Sequence, residues 1–146
     1  MKRGFSLVEV LIVIAVLGIL AAIVVPEYQD QTEKAKESAA KDNLRILRDA
    51  IERYAIEHND VPPGYMGNDP AAFANFNIFC NQLVKNGEYL SEIPENPFNN
   101  ENSVQIVSGD FPEADEEQGW MYKPSTREIR IDKAGTDSEE KPFSEY

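Results

Sequence analysis

The 146-residue chain carries 26 acidic and 14 basic side chains, a formal net charge of −12, at a mean hydropathy of −0.45. One cysteine, Cys80, excludes an intrachain disulfide framework and a thiolate zinc cluster, and one histidine, His58, leaves little for imidazole chemistry. The acidic balance argues against nucleic-acid binding, which needs a basic surface to displace counterions, and no nucleophile–base constellation points to an enzyme. The averages conceal a partition. Residues 1–26 carry a net charge of +1, residues 27–57 a net of −2, and residues 58–146 a net of −11.

From Phe5 to Val25 run 21 residues whose only polar side chains are Ser6 and Glu9. As a helix rising about 1.5 Å per residue they span roughly 32 Å, close to the hydrocarbon thickness of a bilayer. The run is too long for the apolar region of a secretory signal, and no small-residue cleavage site follows it. Lys2 and Arg3 precede the run and predict a cytoplasmic N-terminus with the acidic remainder outside. A plain N-terminal membrane anchor satisfies all of this except Glu9. A carboxylate in lipid asks for a partner, and no other charge lies within the run. A cut before Phe5 creates an α-ammonium four residues from Glu9, able to pair within one helix or between staggered neighbours.

The stretch Lys2-Arg3-Gly4-Phe5-Ser6-Leu7-Val8-Glu9, followed by the apolar run, resembles the class III signal of type IV pilins and type II secretion pseudopilins. The resemblance implies cleavage between Gly4 and Phe5 by a prepilin peptidase, N-methylation of Phe5, and a role for Glu9 in pairing with the N-terminus of an adjacent subunit. It divides the chain into a leader (1–4), a transmembrane and assembly helix (5–26) and a periplasmic head with the amphipathic part of the helix (27–146). Its implied partners are copies of itself, other pilin-like subunits, prepilin peptidase and the inner-membrane assembly machinery. The implied location is the inner membrane in a single pass, then a filament. Gly18 is a poor helix former, and Pro26 cannot donate to the carbonyl of Ala22, so both predict a mild kink. By resemblance they become candidates for local melting on assembly. The rival reading is a membrane-anchored periplasmic binding module that does not assemble.

Beyond the apolar run, Ala35, Ala39 or Ala40, Leu44, Leu47, Ile51 and Tyr54 recur at spacings of three and four. They predict one helix from about Phe5 to Glu57, with Glu37/Lys41 and Asp49/Arg53 as i,i+4 pairs on its polar side. Asp60-Val61-Pro62-Pro63-Gly64 ends it, with His58 at the boundary. A second helix is expected with Asp69 as N-cap, Pro70 at its first position and Asn86-Gly87 at its end, burying Phe73, Phe76, Cys80 and Leu83 on one stripe. Val104–Val107 reads as a strand, and Gly119–Tyr122 and Glu128–Ile131 as a hairpin around Lys123-Pro124-Ser125-Thr126. The fold class is therefore α+β, a long N-terminal helix packed on a small antiparallel sheet, which is also the pilin-like head that the resemblance implies. Ile93-Pro94-Glu95-Asn96-Pro97-Phe98 and Gly119-Trp120-Met121-Tyr122 are similar to segments of pseudopilin-like heads.

Asp132, Asp137, Glu139 and Glu140 give the C-terminal tail carboxylates suited to calcium, and major pseudopilins carry a calcium site in that loop. No clear copy of the loop is present, so no cofactor is assigned. Asp132 and Asp137 stand as the calcium candidates against the reading of a solvated acidic tail. Many pilins also close the head with a C-terminal disulfide, which a single Cys80 cannot form, and this departure leans away from adhesive pili toward the pseudopilins or a divergent pilin-like group.

Overall fold

A computed structural model describes residues 6–146, without the side chains of Val24, Val25, Pro26 and Asn86. Two compact units divide the chain, the first ending at Ala35 and the second running Lys36–Tyr146. Helix α1, Leu7–Glu57, continues from one into the other as a single helix, as the sequence predicts. Gly18 and Pro26 both lie inside it. Its C-terminus is closed by two left-handed residues, Asn59 (φ 56°) and Asp60 (φ 69°), with the Asp60 amide donating to the carbonyl of Ala55 at 2.8 Å. That turn satisfies a final-turn carbonyl before Pro62 and Pro63 forbid further helix.

In the second unit α1 buries Ala40, Leu44, Leu47, Ile51 and Tyr54, a stripe widened by Ala50 and Ala55. Ala35 and Ala39 stay exposed, so of the two alanines weighed for the early stripe, Ala40 is the one in the core. Against this stripe pack Phe79, Leu83, Trp120, Tyr122, Ile129 and Ile131.

The second helix, α2, is shorter than expected and covers Phe76–Val84. Its N-cap is Asn75, whose side chain accepts from the Ile78 amide at 2.9 Å. Asp69 instead accepts the Ala71 amide in a turn of its own, and Tyr65 pairs with Ala74 in an antiparallel bridge. The backbone of 69–74 is thereby committed before a helix can begin. Phe73 consequently lies outside α2 and is exposed, while Phe79 takes the buried place beside Leu83. Phe76 and Cys80 pack at the edge of the core as expected. The Asn86-Gly87 ending holds, with Gly87 at φ 67° closing a short turn after α2.

Strands β1 (Val104–Ile106), β2 (Trp120–Lys123) and β3 (Glu128–Ile131) form one sheet in that order. The hairpin β2–β3 is antiparallel, pairing Trp120 with Ile131 and Lys123 with Glu128. β1 pairs with β2 in parallel, Val104 opposite Trp120, so the sheet is mixed rather than wholly antiparallel. The cause is residues 107–119, which return the chain to the starting end of β1, a crossover a short turn cannot make. Met121, on the other side of β2 from Trp120 and Tyr122, is buried as well, because it shares a hollow with Phe111, Pro112 and Ala114.

Candidate functional site

In the first unit, twelve described large apolar side chains between Leu7 and Ile23 are exposed by 49 to 80%. An 18-residue window of α1 reaches a mean hydropathy of 3.1 with none of it buried, and α1 is the one described helix long and apolar enough to cross a bilayer. The exposed positions include consecutive residues such as Val10, Leu11, Ile12, Val13 and Ile14. Consecutive residues point around the whole circumference, so this is no amphipathic stripe seeking one core. A helix apolar all round is stable only in lipid or inside an assembly of other helices.

At its start, the Ser6 amide donates to the Glu9 carboxylate at 2.8 Å, and the Val10 amide to the Ser6 carbonyl at 3.3 Å. Ser6-Leu7-Val8-Glu9 therefore acts as the glutamate arm of a capping box, with a first-turn carboxylate at the positive end of the helix dipole. The spacing Ser-x-x-Glu carries this signal in the sequence, and the amide it brings adds no charge to the run. Gly4 and Phe5 lie outside the described residues. A Cβ added at Gly18 meets nothing within 4 Å, as expected of a helix surface that awaits neighbours.

In the second unit, the acidic tail is solvated only in part: Glu139 and Glu140 are exposed, as a solvated tail implies, but two of its acids are not. Asp132 and Asp137 are buried, only 1% and 6% exposed. The Asp132 carboxylate accepts the amides of Asp115 (3.1 Å) and Gln118 (2.9 Å), pinning the acidic loop 110–117 to the end of β3. Burial pushes its carboxyl above the usual range, an effect that the amides of Gln118 and Glu116 partly offset and the neighbouring Asp115 carboxylate reinforces. Asp137 accepts four donors: the amides of Glu139 and Lys141 at 2.9 Å each, the Tyr146 hydroxyl at 2.8 Å and the Lys41 ammonium at 3.3 Å. Burial opposes its ionisation, yet these donors hold its carboxyl at about 2. Glu37, also buried, accepts the amide and hydroxyl of Ser138 at 2.8 and 2.7 Å. Glu37 and Lys41 thus turn to the C-terminal segment, not simply to each other as the i,i+4 spacing suggested.

These donors decide the calcium question on chemistry. Calcium takes six to eight oxygens at about 2.3–2.6 Å. Asp132 and Asp137 share no hydrogen-bond partner, and every oxygen of both carboxylates already faces a hydrogen-bond donor. A cation approaching Asp137 would meet an ammonium and the positive ends of amide dipoles. Among the described residues no group of three or more metal-ligating side chains comes together. The tail residues do not fit calcium.

The two head segments singled out in the sequence meet each other. The Trp120 indole donates to the carbonyl of Pro94 at 2.8 Å. Asn96, fully buried, donates to the carbonyl of Gly119 at 3.1 Å and accepts the Phe98 amide at 3.0 Å. Asn96 thereby fixes its loop against the entry to β2, a structural role. His58 stacks on Tyr54 with ring centroids 3.9 Å apart, and its Nδ1 lies 2.8 Å from the Tyr54 carbonyl, so it serves as a helix terminator. Burial pushes the Cys80 thiol up to about 11, the behaviour of an apolar packing residue.

Comparison with known proteins places these features. Residues 1–25 match the family model described as the prokaryotic N-terminal methylation motif. The chain is 31% identical over 115 residues to the type II secretion system core protein G of Aeromonas hydrophila, spanning 78% of this chain and 79% of that protein. It is 30% identical over 108 residues to the protein of that name from Escherichia coli K12, spanning 68% and 69%. A fimbrial protein of Neisseria meningitidis serogroup B is 33% identical over 106 residues, spanning 69% of this chain and 61% of its own. These are names of secretion-system and fimbrial components, not of enzymes. No solved structure matches the chain. With the methylation motif at its N-terminus, a helix apolar on every side and relatives aligned along most of its length, the chain belongs to the pilin-like family of type II secretion pseudopilins and fimbrial proteins.

Proposed function

We propose that the chain is a structural subunit of a type II secretion pseudopilus or a related type IV pilus-like filament, held in the inner membrane until it assembles. It is made as a prepilin with Lys2 and Arg3 on the cytoplasmic side and the head in the periplasm. Prepilin peptidase cuts between Gly4 and Phe5 and methylates the new N-terminus, and the inner-membrane machinery then adds the subunit to other pilin-like subunits. The observation that carries this reading is the twelve apolar side chains of α1 exposed around its circumference.

Moving such a helix from lipid to a filament core exchanges one apolar environment for another, so the hydrophobic effect contributes little to that step. Packing and Glu9 supply the difference. A charged side chain at mid-membrane costs about 2.5–3.5 kcal/mol on insertion scales. Near the head-groups the cost is smaller, and the Ser6 amide offsets a further part of it. A neighbour's N-terminal ammonium compensates the charge itself, which an amide cannot. That favours the assembled state and fixes the stagger between subunits.

Glu9→Gln tests the pairing directly. A glutamine amide oxygen still accepts the Ser6 amide, since capping boxes use either residue, so the helix start is preserved while the charge is lost. The expected outcome is normal membrane insertion and N-terminal processing, with filament assembly abolished. Normal filaments from Glu9→Gln would refute the ionic role, and an unprocessed Met1 in mass spectrometry of assembled protein would refute the prepilin reading. The same two measurements separate the anchored binding module, which keeps Lys2 and Arg3 and tolerates loss of Glu9.

A further inference from the structure

We propose that the C-terminal segment, residues 132–146, is fastened to α1 by a metal-independent clasp in which the Lys41 ammonium supplies the cation that faces Asp137. The clasp is built by three charged residues of α1, Glu37, Lys41 and Arg48, spaced so that they follow one side of the helix. Glu37 holds Ser138 by its amide and hydroxyl. Lys41 reaches the Asp137 carboxylate at 3.3 Å and lies 4.5 Å from the centre of the Tyr146 ring. Arg48 donates to the carbonyls of Tyr146 and Ile129, joining the last residue of the chain to β3.

The segment gripped by these residues is itself ordered around Asp137. Its amide donates to the Lys141 carbonyl at 2.9 Å, its carboxylate takes the amides of Glu139 and Lys141, and Thr136 bridges to Pro142. The loop is closed around a carboxylate, and the donors to that carboxylate are all N–H and O–H groups. Aromatic contacts seat it on the head: Phe143 meets Phe98 and Tyr146 edge-on, with centroids 5.1 Å apart in each case. Charge balance agrees, because Asp137 has no exposed face left on which a second cation could sit.

The clasp makes the folding of the head indifferent to the calcium supply of its surroundings. Hydrogen exchange on the full chain in detergent, followed by mass spectrometry of peptides covering 133–146, tests it without reference to assembly. In the wild type the protection of these peptides is expected to be the same in excess EDTA and in millimolar calcium. Slower exchange in calcium, or faster exchange in EDTA, overturns the proposal. Lys41→Met removes the ammonium from a side chain that is 47% exposed, so the core is spared. Exchange of the same peptides is then expected to rise about tenfold, the scale of a lost charge-assisted hydrogen bond, and to fall back in Lys41→Arg. Unchanged exchange in Lys41→Met also overturns it. Should that variant misfold, the wild-type comparison in calcium and EDTA decides alone.

Discussion

Gly119 stands where the chain enters β2, and its missing side chain is a requirement of the head. A Cβ built there would fall on the main-chain carbonyl oxygen of Glu101, with the Glu101 carbonyl carbon at 2.9 Å and the Ser103 carbonyl oxygen at 3.2 Å. All three are backbone atoms, so no rotamer change relieves the overlap. In Gly119→Ala the segment 101–103 must part from β2. The bonds in the way are those from the Gly119 and Trp120 amides to Ser103 (3.1 and 3.0 Å) and from the Asp132 amide and the Asn96 side chain to the Gly119 carbonyl (3.2 and 3.1 Å). Overpacking of this kind costs about 1–3 kcal/mol, and each hydrogen bond lost adds about 1 kcal/mol. The stiffer unfolded chain returns about 0.4–1 kcal/mol. A net destabilisation of about 2–4 kcal/mol is expected, a large share of a small domain's stability. Urea unfolding of the full chain in detergent, followed by the fluorescence of its one tryptophan, Trp120, measures it. Gly109→Ala is the control, since a Cβ there meets nothing within 4 Å. If the two variants unfold within about 0.5 kcal/mol of each other, the close approach of the two segments is wrong.

Asn96→Ala leaves the Phe98 amide without its partner and the Gly119 carbonyl with the Asp132 amide alone, and a loss of about 1–3 kcal/mol is expected in the same urea titration. Cys80, with its thiol raised from 9.0 to about 11, should alkylate roughly a hundredfold more slowly than a small free thiol at pH 8 and at the free rate once unfolded. Asp137 makes the head acid-sensitive. Its carboxyl is held at about 2 against 3.8 unfolded, so its stabilisation is full above about pH 4 and is lost as pH falls toward 2. Asp132 is shifted the other way and works against this loss. The groups facing Asp137 are the Lys41 ammonium, the Tyr146 hydroxyl and the amides of Glu139 and Lys141, all of them donors to its ionised form. Unfolding midpoints across pH 2–5 should therefore fall more steeply for the wild type than for Asp137→Asn; parallel curves would show that the Asp137 donors contribute nothing.

The parts of the fold legible in the sequence are those written in local periodicity. α1 follows from an unbroken apolar run joined to a stripe at spacings of three and four, and β2–β3 from two alternating segments around a Pro-Ser turn. The start of α2 was misread because Asp69-Pro70 has the chemistry of a helix N-terminus, and only the Tyr65–Ala74 bridge shows that its backbone is used otherwise. The parallel pairing of β1 depends on a crossover whose direction no residue encodes alone. The buried tail was least legible. Glu37 and Ser138 are 101 residues apart, and Lys41 and Asp137 are 96 apart, so nothing near Asp137 distinguishes a clasped carboxylate from a solvated one. Ser6-x-x-Glu9 is legible in the sequence, because a spacing of three is enough to specify the local bond.

The two units treat carboxylates in opposite ways, and the contrast locates where the chain is incomplete. Asp132, Asp137 and Glu37 are buried with two or more donors each from the second unit itself, and Asp137 meets the Lys41 ammonium there as well. Glu9 has in its own described chain a main-chain amide, which accommodates its geometry but leaves its charge unneutralised. The apolar surface divides in the same manner: the large side chains from Leu44 to Tyr54 that face the core are covered, and those from Leu7 to Ile23 are not. Both deficits, of charge and of apolar contact, therefore fall on the same 17 residues of one helix. On the proposed function, a second processed copy of that helix corrects both at once, because it brings apolar surface along its length and an ammonium at its start. Lipid corrects only the lack of apolar contact. On the same reading, this asymmetry gives a subunit that is stable in the membrane and still has a reason to leave it.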